Sequence, residues 1–257
     1  MSAPVYVRWR GVAWAECSQR PYLMLLRAGL CFALFVAIDA GADEAAVKRQ
    51  FERRFPGAAV TSVAPAPMPG LYEVFVEGQL VYTDAEVNYL LRGELIDAAD
   101  RRNLTEDRLG KLKGIPWEQL PLDQAVKIVK GDGKRRVAIF EDPDCPFCKR
   151  LEQALVRVEN VTMYVLLYPL ESIHPGATDK SIRIWCSADR GKAWSDAVLR
   201  GVNPSGTTSC KHPIESLKKF AEARGIFATP TLVFEDGTRV SGAIPAAEIE
   251  KRLAEKR

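Results

Sequence analysis

Cys145-Pro146-Phe147-Cys148 lies between an apolar run, Val137 to Phe140, and an amphipathic stretch that begins at Lys149. A cysteine pair with two intervening residues at a strand-to-helix junction is suited to exchanging electrons with a disulfide. The start of a helix leaves backbone N–H groups unpaired and carries partial positive charge. That environment favours the thiolate of Cys145, and the thiolate is the attacking species. Pro146 fits the first helical position, where a missing N–H is harmless. Cys148, almost one turn on, is then placed to attack a mixed disulfide formed at Cys145. Asp142 and Asp144 oppose the thiolate electrostatically while the helix start favours it, and the sequence does not rank the two effects.

Two other uses of the pair compete. Half of a zinc site would need further ligands at close spacing. The remaining cysteines, Cys17, Cys31, Cys186 and Cys210, form no second C-x-x-C, and His174 and His212 form no H-x3-5-H pair, so no metal is expected. A purely structural disulfide would close a small, strained ring, which suits a labile bond better than a staple. His174 reads as a loop residue without a part in the chemistry.

Further along, Thr229-Pro230-Thr231 directly precedes a strand pattern. Cis geometry is accessible at an X–Pro bond and at essentially no other. Proline also removes an N–H where a substrate strand would approach, which leaves the backbone of Thr229 to pair with an incoming peptide. An ordinary edge-strand proline is the competing reading.

The elements that must hold these residues can be read from hydrophobic period and turn signals. Asp43 to Phe55 is helical in spacing and Pro56-Gly57 stops it. Strand patterns follow at Val60 to Val63, Leu71 to Val76, Leu80 to Thr83 and Tyr89 to Ile96, with Glu77-Gly78 as a tight turn. This block, 43–97, predicts a small α+β domain with an antiparallel meander and no chemistry of its own. A connector spans 98–121 and includes a helix from Thr105 to Lys113 with Thr105 as its cap. From 122 to 257 the texture changes. Strands are expected at Ala125 to Val129, Arg136 to Phe140 and Val161 to Leu167, with the Cys145 helix running from Pro146 to about Glu159. Helices follow at Ala177 to Cys186, Gly191 to Leu199 and Ile214 to Arg224, then a hairpin of Thr231 to Phe234 and Thr238 to Ser241, and a last helix from Pro245 to Ala254.

At 257 residues, 47% of them hydrophobic, the chain can bury an ordinary core without cysteine staples. The net charge of +3 is spread over interspersed acids and bases, which gives nucleic-acid binding little support. Leu23 to Ile38 is apolar apart from Arg27 and is followed by Ala40-Gly41-Ala42. This reads as a signal peptide over 1–42, cut between Ala42 and Asp43, with Met24 as an alternative start. An uncleaved anchor and a buried core helix are the other readings of the run. Cleavage would remove Cys17 and Cys31 and leave an even count of four cysteines, which suits an oxidising compartment such as the periplasm.

The order strand, helix, strand, helical insertion, helix, strand, strand, helix is a thioredoxin-like layout. The chain resembles the periplasmic disulfide isomerases of the DsbC/DsbG family. The resemblance is carried by Phe140 to Lys149, by Ile184-Trp185-Cys186, by Cys210 and by Ala228-Thr229-Pro230-Thr231. It covers the whole expected mature chain and implies a two-domain protein of α+β and α/β parts. These are a small cystatin-like N-terminal dimerisation domain, a connector helix, and a thioredoxin-like catalytic domain with a helical insertion. It implies that Cys145 is an exposed nucleophile, Cys148 the resolving thiol, and Thr229 with a cis Pro230 the peptide-binding groove. It pairs Cys186 with Cys210 as a structural disulfide, worth roughly 3.5 kcal/mol on chain-entropy grounds. Family members often carry Gly-Tyr or Pro-Tyr where this chain has Pro146-Phe147, which leaves the oxidising strength open. Ile139 stands where thioredoxin itself has a buried carboxylate, which argues against a cytosolic reductase.

The expected activity is reshuffling or reduction of non-native disulfides in misfolded exported proteins, without metal or organic cofactor. The partners implied are a membrane thiol reductant of the DsbD type and a second copy of the chain. Two rivals are a dithiol oxidase of the DsbA kind, which would not need the extra N-terminal domain, and a holdase chaperone with secondary thiol chemistry.

Overall fold

The computed structural model describes residues 44–255. The expected signal peptide, its cleavage after Ala42, the alternative start at Met24, and Cys17 and Cys31 all lie outside the described residues.

Helix α1 (Glu44–Arg54) buries Val47 and Phe51 on one face. They pack against a sheet of β1 (Val60–Pro65), β2 (Tyr72–Val76), β3 (Gln79–Thr83) and β4 (Leu90–Leu91). The strands lie in chain order and pair antiparallel throughout. Glu77 and Gly78 join β2 to β3 with φ of 51° and 75°, the left-handed pair that a tight two-residue hairpin demands. The fourth strand is much shorter than the Tyr89 to Ile96 pattern predicts. Past a bend at Gly93, the amide of Leu95 donates to Thr105 Oγ1 (2.8 Å) and its carbonyl accepts from Leu104 N (2.8 Å), so its pairing capacity goes to the connector rather than to β3.

That connector is helix α2 (Leu104–Leu112), and its cap is Asn103, not Thr105. The Asn103 side chain accepts from Glu106 N at 2.9 Å, whereas Thr105 is buried with its hydroxyl 2.5 Å from that of Tyr82. Gly110 and Gly114 on this segment touch the hairpin that closes the second sheet. A Cβ at Gly110 would come within 2.5 Å of the Arg239 carbonyl, and one at Gly114 within 2.7 Å of that of Gly237.

The second sheet contains β5 (Val126–Lys130), β6 (Arg135–Glu141), β7 (Val161–Leu167), β8 (Thr231–Phe234) and β9 (Arg239–Ser241), in the order β5-β7-β6-β8-β9. β6 and β7 are parallel and the other pairs antiparallel. Helix α3 (Pro146–Leu155) makes the crossover between the parallel pair. It stops short of Glu159, because residues 156–160 turn back and Asn160 adopts φ 52° to enter β7. Side chains alternate across β6. Val137 and Ile139 join Leu151 and Leu155 of α3, and Ile249 and Leu253 of α7 (Ala246–Ala254). Ala138 and Phe140 join Leu217 and Ala221 of α6 (Ile214–Ala223) on the other face. Full burial of a Leu such as Leu151 or Leu155 contributes about 1.5–3 kcal/mol. Helices α4 (Ala177–Trp185) and α5 (Arg190–Arg200) form the insertion. Trp194 of α5 is fully buried.

Candidate active site

β6 delivers the chain to the start of α3, where Cys145 is the N-cap, with extended φ/ψ, and Pro146 holds the first helical position. Cys145 N donates to the Asp142 carbonyl (3.2 Å) and Lys149 N to the Cys145 carbonyl (3.1 Å), so the turn and the first helical bond fix the Cys145 backbone. The Thr229–Pro230 peptide bond is cis, and the Cys145 thiol donates to the Thr229 carbonyl at 3.4 Å. The structure therefore brings Cys145, Cys148, Thr229 and Pro230 together. Cys186 and Cys210 lie elsewhere, disulfide-bonded between the end of α4 and the segment before α6. There Trp185 Nε1 donates to the Lys211 carbonyl (3.1 Å) and the Arg190 guanidinium lies 3.7 Å from the Trp185 ring centroid.

Two of the expectations for this site need correction. Cys145 is not an exposed side chain: it retains 5% of its surface, against 0% for Cys148. The Cys145 thiol is engaged by the Thr229 carbonyl. The Thr229 backbone is not entirely free either, because its carbonyl already holds the Cys145 thiol.

The two sulfurs differ sharply in proton affinity. The hydrogen bond from Cys148 is the largest influence on Cys145 and lowers its pKa to about 5, against the opposing effect of burial. The Thr229 hydroxyl, which has no partner at hydrogen-bond length, lies near enough to favour the thiolate as well. So do the amides of Phe147 and Cys148 at the helix start. Burial drives the Cys148 thiol strongly up, and the neighbouring Cys145 and Glu141 add to the effect. Asp142 N donates to Cys148 Sγ at 3.5 Å.

Neither Asp142 nor Asp144 stands as an uncompensated anion beside the nucleophile. The Asp142 carboxylate is fully buried and accepts from Asp144 N (2.8 Å) and Leu170 N (2.7 Å), with His174 Nδ1 at 2.9 Å. Asp144 is ion-paired with Lys180 of α4. His174, read from the sequence as a bystander, is thus part of the site.

A buried carboxyl pair also escaped the sequence reading. Glu141 is wholly enclosed against the Glu152 carboxyl, and among the described residues its oxygens have no partner at ordinary hydrogen-bond length. Burial raises its pKa well above the ordinary glutamate value, and the adjacent Glu152 adds to the rise. Burial raises Glu152 too, although its Oε1 accepts from Trp194 Nε1 at 2.8 Å. Both positions carried a signal. Glu141 follows Ile139 by two residues on the same strand face, and Glu152 follows Cys148 by four on the same helix face. The absence of a carboxylate at Ile139 was therefore misleading, since an acid lies one strand period further along.

Three large apolar side chains near site groups in sequence are exposed. Phe147, Phe227 and Ile173 are 51%, 70% and 65% exposed, each within two residues of a site group. The Arg150 guanidinium sits 5.2 Å from the Phe147 ring centroid.

A thioredoxin-like sheet that carries a dithiol of opposed proton affinities at a helix start, beside a cis-proline, defines a thiol–disulfide oxidoreductase. Comparison with known sequences and structures narrows the class. Residues 38–106 match the family model described as the disulfide bond isomerase protein N-terminal domain, and residues 122–257 match a thioredoxin-like domain. The chain is 45% identical over 217 residues to the probable thiol:disulfide interchange protein DsbC of Bordetella pertussis, covering 84% of this chain and 76% of that one. It is 24% identical to the thiol:disulfide interchange protein DsbC of Escherichia coli K12, covering 88% and 94% of the two chains. A crystal structure of a disulfide interchange protein from Neisseria gonorrhoeae, 41% identical, superposes with a TM-score of 0.51 over 52% of this chain and 96% of that one. The chain belongs to the DsbC family of thiol:disulfide interchange proteins.

Proposed function

We propose that this protein reshuffles non-native disulfides in exported proteins through mixed disulfides at Cys145. The observation that carries this reading is the asymmetry of the dithiol: the Cys145 thiol is lowered to about 5, while Cys148 is fully enclosed and held as a thiol. The Cys145 thiolate attacks one sulfur of a client disulfide and the other client sulfur leaves as a thiolate. A second client thiolate then displaces Cys145, which completes an isomerisation with no net change in redox state. Alternatively Cys148 loses its proton and displaces the client, which leaves the client reduced and a Cys145–Cys148 disulfide behind. Thr229 and Pro230 shape the groove that holds the client strand, and the apolar side chains of Phe147, Ile173 and Phe227 favour unfolded segments. Cys186–Cys210 is a structural bridge that ties the helical insertion together. A membrane thiol reductant of the DsbD type returns the enzyme to the dithiol form, and the signal peptide delivers it to the periplasm.

The N-terminal sheet serves as a dimerisation module. Among the described residues its last strand, β4, pairs with β3 alone, and Tyr89, Leu90 and Leu91 expose apolar side chains at that edge. Pairing of two such edges would place two catalytic domains in one molecule.

Scrambled ribonuclease tests the chemistry. Cys145→Ala should abolish reactivation, and Cys148→Ala should accumulate a mixed disulfide that dithiothreitol releases. Reactivation by Cys145→Ala at the wild-type rate would end the proposal. Trapping of thiols in living cells separates this reading from a dithiol oxidase, since an isomerase is held reduced and an oxidase is held oxidised.

A further inference from the structure

Asp142 has no exposed surface and is the hub of the turn between β6 and α3. Its carbonyl accepts from Cys145 N (3.2 Å), its amide donates to Cys148 Sγ (3.5 Å), and its carboxylate bonds to Asp144 N and Leu170 N. The remaining partner of that carboxylate is His174, with Nδ1 at 2.9 Å, on the loop between β7 and α4. The loop itself is anchored: His174 N donates to the Leu170 carbonyl (2.9 Å) and Ala177 N to the His174 carbonyl (3.1 Å). The imidazole is therefore seated on the turn that leads into the dithiol, with a side chain only 17% exposed.

We propose that His174, seated on buried Asp142, is a positioning residue for the Cys145 sulfur, and that the proton it holds is linked to the redox state of the Cys145–Cys148 pair. The charged and titratable groups that face it are few. Among the described residues, Asp142 and Asp144 act on it from the β6–α3 turn and Cys145 from the start of α3, while Glu171 lies on its own loop and Lys180 on α4. Lys180 is paired with Asp144. Glu171 is satisfied by the amides of Gly176 and Thr178 at 2.7 and 2.9 Å. Asp142 thus holds the imidazole by a direct hydrogen bond, and Cys145 is the neighbour whose charge changes with redox state. The hydrogen bond to Asp142 raises the His174 pKa above its ordinary value, and the Cys145 and Asp144 charges raise it further. Coupling between two sites is reciprocal, so a protonated His174 must favour the thiolate to the same extent.

The balance of the linked step is as follows. A dithiol reagent donates two electrons to the Cys145–Cys148 disulfide, breaks its S–S bond, becomes a disulfide itself and gives up two protons. One proton goes to Cys148 and Cys145 is left as a thiolate. The second proton is divided between solvent and His174, whose affinity for it rises when the thiolate appears. In the oxidised enzyme that anion is absent and His174 binds its proton less tightly.

The experiment uses the whole protein. With only two histidines in the sequence, the imidazole resonances of His174 and His212 can be titrated individually by NMR. His174 should titrate higher in protein reduced by dithiothreitol than in the Cys145–Cys148 disulfide form, by roughly one unit, the shift expected for unit charges about 12 Å apart at an effective dielectric near ~20. His212 should titrate alike in both. His174→Gln keeps a donor for Asp142 but cannot carry the charge. By reciprocity it should raise the Cys145 thiol by the same amount, read from thiolate absorbance near ~240 nm, which is about a tenfold loss of thiolate at pH values below the Cys145 midpoint. Identical His174 titrations in the two redox states, or an unshifted Cys145 in His174→Gln, would overturn the proposal. A purely structural histidine would change thermal stability and leave both titrations unmoved. The inference rests on Cys145 as the reacting thiol, and the two fail separately: loss of reactivation in Cys145→Ala alongside redox-independent His174 titrations would remove the linkage alone.

Discussion

A thiol becomes a good nucleophile only when its proton leaves, and the two cysteines here are arranged so that only one loses it readily. Cys145 accepts from Cys148 and faces helix-start amides, whereas Cys148 sits in the core with Glu141 for a neighbour. The Glu141–Glu152 pair has a consequence for stability that is separate from the chemistry. The folded state holds the Glu141 proton more tightly than the unfolded state does, so folding is favoured at low pH. That advantage is lost as pH rises from the ordinary value of 4.5 toward the raised value in the fold. Glu141→Gln, which mimics the protonated carboxyl, should therefore stabilise the protein near neutrality by on the order of 1 kcal/mol or more, with the gain shrinking as pH falls toward the ordinary carboxyl range. Urea denaturation at several pH values measures it; a gain that does not change with pH would contradict the assignment. At this scale the sequence told most about Cys145, Cys148 and Pro230, because their types and spacing are unusual. It told least about Glu141 and His174, whose importance comes from packing partners far along the chain.

The elements were legible where period and punctuation agreed, as in β7, predicted and found at Val161 to Leu167. They were less legible where tertiary partners claim the backbone. β4 is cut short because Leu95 pairs with Leu104 and Thr105, and α2 starts at Asn103 because Thr105 is drawn inward to Tyr82. Asn103→Ala should cost about 1 kcal/mol through loss of the cap, whereas the misread alternative would have placed that loss at Thr105. Gly110 makes a sharper test. A methyl group there would sit 2.5 Å from the backbone oxygen of Arg239, which has no side-chain freedom with which to yield. Gly110→Ala, usually favourable in a helix, should instead destabilise by about 1–3 kcal/mol. Thermal or chemical melts decide the sign, and a stabilised Gly110→Ala variant would mean that the α2–β9 approach is looser than described.

At the largest scale, the described residues form two sheets, one that carries the dithiol and one that ends in a strand with exposed apolar side chains. The two-domain organisation was visible in the break of texture near Pro116 and Pro121, but the strand order β5-β7-β6 was not, since nothing local tells a strand to pass over its chain neighbour. Substituting Leu90 and Leu91 by Glu should shift the protein from dimer to monomer in sedimentation, while the Cys145 thiolate still forms with a midpoint of about 5. A wild-type protein that sediments as a monomer would remove the dimer reading. Cys186→Ser with Cys210→Ser should lower stability by roughly 3 kcal/mol and leave that midpoint in place, because the bridge joins the end of α4 to the segment between α5 and α6 rather than lying at the cysteine helix.

The bond from the Cys145 thiol to the Thr229 carbonyl makes one group perform two incompatible tasks. A protonated sulfur occupies the acceptor that a strand in the proposed groove would use, so the acid form is self-occluded. Ionisation removes the donated hydrogen, which arms the sulfur and vacates the berth in a single event. Acidification through about pH 5 should accordingly weaken capture of clients and bond exchange together, so that a non-reacting peptide loses affinity along the same curve on which the enzyme loses rate.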